Sequence, residues 1–105
     1  MATGKLGSAD LAAATDTVLY TVTSGLTSSF SAVFVNRSTD NVKIRLSIGS
    51  AVPISKDYIV YDRIIPPGGE YERTGLVASS GEAVVVRGDK TGISVRAHGF
   101  EEASS

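Results

Sequence analysis

The most regular stretch of the chain is "VKIRLSI", residues 42–48, in which Val42, Ile44, Leu46 and Ile48 alternate with Lys43, Arg45 and Ser47. A helix would scatter these positions around its axis. A pleated strand sorts them, apolar on one face and polar on the other. A slip of one residue would drive two cations into the core, so the register of this strand is firmly set. "TVLYTVT" (17–23) has the same period and puts Val18, Tyr20 and Val22 on one side. In "SFSAVFV" (29–35), Phe30, Ala32 and Phe34 oppose Ser31, Val33 and Val35. Apolar side chains on both faces predict a central strand.

"DYIVYDRII" (57–65) continues the series, with Tyr58 and Val60 against Ile59 and Tyr61. Pro53 demotes residues 51–56 to loop or edge. "PPGG" (66–69) forces a loop, because proline fixes φ and lacks a donor while glycine accepts φ values others resist. "YERTGLV" (71–77), "AVVVR" (83–87) and "GISVRAHGF" (92–100) complete the set. Polar and glycine-containing clusters at residues 24–25, 36–41, 49–50 and 78–82 punctuate it. About seven to eight short strands at this spacing predict an all-β, antiparallel β-sandwich or jelly roll. Residues 84–87 and 93–96 flank "GDKTG" and are expected to form a hairpin.

The two ends differ from this texture. Residues 1–16 are small and polar, with Leu6 and Leu11 the only sizeable apolar side chains after Met1. They are expected to form an extended N-terminal arm, with Leu6 and Leu11 anchoring it on an adjacent subunit. Residues 17–100 form the β-sandwich domain, and "EEASS" (101–105) is a polar C-terminal tail.

Composition narrows the function. At 105 residues the chain suits one domain with one core. Acids and bases are interspersed and the formal net charge is −1, without the basic footprint of a nucleic-acid binder. There is no cysteine, so neither a disulfide nor a thiolate metal site can form. No segment approaches the ~20 apolar residues that span a bilayer. The N-terminus has no apolar run suited to a signal peptide, so synthesis and folding in the cytoplasm are expected.

Candidate chemistry is sparse. Arg87, Gly88 and Asp89 spell an adhesion tripeptide, but they also sit in a glycine-rich turn where Asp89 can bond nearby amides. His98 is the single histidine, so a transition-metal site would need carboxylates to complete it. Asp57 and Asp62 are separated by about 17 Å of strand, too far for a shared reaction centre. Glu70 and Glu72 have Arg73 beside them and suit a solvated rim. Asn36 suits a turn, with Arg37 reaching a nearby carboxylate. Tyr20, Tyr58, Tyr61 and Tyr71 serve cross-strand packing, or alternatively line a carbohydrate-binding surface. No cofactor, catalytic group or metal site is indicated, and the chain is not expected to be an enzyme.

Taken together, "KLGSADL", "TDTVLYTV", "VNRSTDNVKIRLSI", "DYIVYDRIIPPGGEYERTG" and "ISVRAHGFEE" resemble small virion structural proteins of tailed bacteriophages, of the tail fibre, tail-associated and decoration kinds. The resemblance runs from Lys5 to Glu102. It departs at Thr23, Ser24 and Gly25, where similar proteins tend to have Pro-Ala-Gly. It implies a virion building block, made in the host cytoplasm, whose partners are other virion proteins and copies of itself in a homo-oligomer on a symmetric particle. Neither nucleic acid nor membrane is an implied partner. A carbohydrate- or receptor-binding adhesin module is the alternative.

Overall fold

The computed structural model describes residues 3–103. Eight strands follow one another: β1 (Thr3–Asp10), β2 (Thr17–Thr21), β3 (Leu26–Asn36), β4 (Val42–Gly49), β5 (Tyr58–Ile65), β6 (Glu70–Ala78), β7 (Ala83–Gly88) and β8 (Ile93–Ala103). A single 3-10 turn, Ser55–Asp57, precedes β5. The strands form two antiparallel sheets of four, in the orders β1-β8-β3-β6 and β2-β7-β4-β5. The architecture is all-β and sandwich-like. Phe30, Phe34 and Val95 from the first sheet share one core with Ile44, Leu46 and Val86 from the second.

The segments at 29–35 and 42–48 became inner strands, while those at 17–23 and 57–65 became edges. β3 lies between β8 and β6, burying Phe30, Ala32 and Phe34 and half-burying Ser31, Val33 and Val35. β4 buries Val42, Ile44 and Leu46 and turns Lys43 and Arg45 outward. Ser47 also points outward, beside Val85, yet it is buried and its Oγ has no hydrogen-bond partner among the described residues.

All four edge strands carry a β-bulge. The extra residue falls at Leu6 in β1, at Leu19 in β2 and between Arg73 and Leu76 in β6, while β5 has two irregularities, one between Val60 and Arg63 and one at Ile59. The inner pairs β3·β8 and β4·β7 run in unbroken register. A bulge places two residues opposite one, bends the strand and interrupts the free ladder that a second chain would need. The bulge at Leu19 also corrects the reading of β2. Leu19 enters the core while Val18 faces out, so Val18 and Tyr20 do not share a side.

Three further expectations are corrected. Residues 3–10 are not an arm laid on a neighbour; they pair with β8 of the same chain. Leu11 is buried in this chain's own core and Leu6 packs against it. The small residues that suggested a mobile arm instead permit close approach. A Cβ on Gly7 would run into the Leu19 carbonyl oxygen and lie 3.2 Å from its carbon. Residues 101–103 are the end of β8, with Glu101 buried, and not a tail. Residues 1, 2, 104 and 105 of the expected arm and tail lie outside the described residues.

The third correction is the hairpin at "GDKTG". β7 belongs to one sheet and β8 to the other, so this turn crosses the sandwich. The turn is closely packed at buried Gly88, where a Cβ would lie 3.3 Å from the Lys90 carbonyl oxygen. Of the connections between successive strands, only β4–β5 stays within a sheet.

Candidate functional site

Among the candidate residues, the structure gathers one group on the outer face of β4 and β5. Arg45 Nε donates to Asp62 Oδ1 at 2.7 Å and its second nitrogen reaches Oδ2 at 3.4 Å. The β5 bulge makes this fork possible. Asp62 takes φ +52°, the left-handed region that aspartate tolerates better than most residues, and its carboxylate turns back along the sheet. The same guanidinium lies 4.2 Å over the Tyr61 ring, and Tyr58 meets Tyr61 edge-to-face at 5.0 Å. The hydrogen bond to Arg45 holds the Asp62 carboxyl below its ordinary range, and the same bond raises the Arg45 pKa further. Both groups stay charged across the neutral range. Tyr61 is 60% exposed, which leaves much of the ring open to a ligand.

The four tyrosines do not form one surface. Tyr58 and Tyr61 are together. Tyr71 packs on the core under Arg63, which sits 4.8 Å over its ring. Tyr20 is withdrawn as a surface contact, because its hydroxyl is engaged between the sheets. The Tyr20 hydroxyl donates to Glu101 Oε2 and accepts from Ser28 Oγ at 3.1 Å; the Thr23 amide also donates to Glu101 Oε2, at 3.3 Å. Tyr20 comes from the second sheet, Ser28 and Glu101 from the first. Burial first, then the bond to Glu101, pushes the Tyr20 phenol above its ordinary pKa. This is an inter-sheet clamp.

The Arg87, Gly88 and Asp89 tripeptide is occupied by the fold. Arg87 reaches Asp16 at 3.5 Å. Asp89 Oδ1 accepts from the Lys43 amide at 2.8 Å, while its own amide donates to the Lys43 carbonyl at 3.0 Å. The aspartate, though exposed, therefore ties the crossing turn to β4. Asn36 does similar work at the other turn. It is buried, donates to the Asp40 and Ile65 carbonyls at 2.8 and 2.9 Å, and accepts from the Ser38 amide at 2.9 Å. Arg37 reaches Asp10 at 3.4 Å and Ser94 at 2.7 Å.

His98 lies half-buried on the outer face of the first sheet, between Ser31 and Lys5. Among the described residues, no three His, Asp or Glu side chains converge as a metal site would require. None of the described helices is long and apolar enough to cross a membrane.

Sequence reasoning missed Arg45 and Glu101 as functional candidates, and weighed Asp62 only against Asp57 and not against Arg45. The period of β8 carried a signal for Glu101, since Ile93, Val95, Ala97, Gly99 and Glu101 have one parity and all face inward. No sequence signal fixed the partner of Arg45, because the bulge that supplies Asp62 breaks the period. Comparison of the chain with family models, with curated proteins and with solved structures found no match.

Proposed function

We propose that this chain is a non-enzymatic structural block of a bacteriophage virion, a capsid decoration protein or a component of the tail, neck or baseplate periphery. We further propose that its two sheets form a jelly roll. The single observation that carries both is the strand order, β1-β8-β3-β6 against β2-β7-β4-β5. Eight strands that cross between two sheets at nearly every connection suit the jelly roll, an architecture used by viral capsid and lectin domains. Fold alone hosts many functions, so the sequence resemblance supplies the rest of the support. The partners in this reading are other virion proteins and further copies of the chain.

An antibody raised against the purified chain tests the proposal. Labelled particles imaged by electron microscopy should carry it at fixed positions and in constant number. Purified particles that lack the chain would refute it.

A second reading has one observation in its favour, the exposed Tyr61 ring with Tyr58, Arg45 and Asp62 around it. An open aromatic face beside a charged fork is suited to a sugar ring. In that case a glycan array shows saturable binding that Tyr61→Ala abolishes. Fixed occupancy on particles with no glycan bound would favour the structural block.

A further inference from the structure

The two outer faces of the sandwich are differently finished. That of the second sheet is laced by ion pairs, Arg45 with Asp62 and Arg87 with Asp16. That of the first sheet carries one ion pair among the described residues, Arg37 with Asp10 beside Ser94 at one end, and along β3 a spine of small and apolar side chains, namely Ser29, Ser31, Val33 and Val35. Val77 on β6 and Phe100 on β8 flank Ser29 and are 59% and 46% exposed. Glu72 on β6 and Arg96 on β8 flank Val33 in the same way. Both are exposed, and neither has an ion-pair partner among the described residues.

We infer that this face is the contact between two copies of the chain, related by a two-fold axis running along β3. Such an axis exchanges the two flanks. It lays Val33 on Val33, Glu72 of each copy on Arg96 of the other, and Val77 of each copy on Phe100 of the other. The face is thus self-complementary in charge, with apolar side chains meeting apolar ones, as a two-fold contact requires. Edge pairing, the usual alternative for a sheet protein, is obstructed by the bulge on every edge strand.

The area fits a modest interface. Strands of eleven, eleven and nine residues at about 3.4 Å each, spaced about 4.8 Å apart, give about 510 Å² per copy. The total of about 1,000 Å² stands at the lower limit for a specific contact, so the dimer forms at raised concentration. The inference does not depend on a virion role and would survive its loss.

Sedimentation velocity over a concentration series tests it. Wild type shifts from monomer to dimer as concentration rises, and added salt weakens the dimer because the two ion pairs are screened. Arg96→Glu and Glu72→Arg each remain monomeric, since each places like charges together twice. An equimolar mixture of the two variants restores a dimer, because every acidic position then meets a basic one. Circular dichroism confirms that both exposed-site variants keep the wild-type fold. A wild type that stays monomeric throughout overturns the inference. So does a dimer that persists in either variant, or a mixture that fails to associate.

Discussion

Tyr20→Phe removes one oxygen from the contact between the sheets. The variant keeps the ring and its packing against the core, so the cavity contribution is negligible. What is lost is the phenol bond to the Glu101 carboxylate and the acceptor for Ser28 Oγ. A hydrogen bond to a charged group contributes about 1.5–3 kcal/mol, and a neutral one about 1. Ser28 is fully buried and loses its acceptor as well, but the larger share of the loss falls on the charged Glu101 bond. The expected cost is about 2–3 kcal/mol, which for a domain of this size lowers the melting temperature by roughly 10–20 °C. Urea titrations followed by far-ultraviolet circular dichroism at neutral pH measure it directly. Glu101→Gln and the double variant complete a cycle whose coupling energy should be at least about 1 kcal/mol. A loss below about 0.5 kcal/mol for Tyr20→Phe, or additive single variants, would mean that the clamp contributes no stability beyond apolar packing.

Four further outcomes follow from the same structure. The Tyr20 phenol has a raised folded-state pKa, so the unfolded chain ionises first as pH climbs; stability holds below about pH 10 and falls above it, and Tyr20→Phe flattens that fall in a pH series of urea midpoints. Gly99→Ala sets a Cβ against the Ser29 carbonyl oxygen and 2.7 Å from Phe30 Cα in the β3·β8 ladder, and should cost about 3 kcal/mol or more in the same titration. Ser47→Ala removes a buried hydroxyl without a partner and should be neutral or stabilising by about 1 kcal/mol, read as an unchanged or higher thermal midpoint. Asp89→Ala loses the bond to the Lys43 amide and should lower stability by about 1 kcal/mol, while an integrin-coated surface retains neither variant nor wild type.

The interior strands were legible because their burial follows the two-residue period. Val42, Ile44 and Leu46 went inward, and the doubly apolar β3 became central. The edges were less legible because each bulge adds a residue and inverts the parity behind it, as Leu19 does for Tyr20. Small residues had two meanings that composition cannot separate. In β1, Gly7 reads like loop but marks the place where another backbone closes in. Partition between sheets was hidden as well. "GDKTG" has the glycines of a hairpin, and only the bond from Asp89 to β4 and the burial of Gly88 assign it to a crossing. The Arg45–Asp62 fork was invisible for a related reason, since seventeen positions and a left-handed aspartate separate the partners.

The placement of β8 has a consequence for biosynthesis. It is the last of the eight strands to be translated, yet it sits in the middle of its sheet, and β1 has no other strand beside it. Until residues 93–103 emerge from the ribosome, β1 and β3 have nothing to bridge them, and the first sheet must wait for these eleven residues. A chain ended before Ile93 would hold an empty slot between two strands. The filler that matches it in sequence and direction is a peptide of β8 itself, supplied from outside as a donated strand.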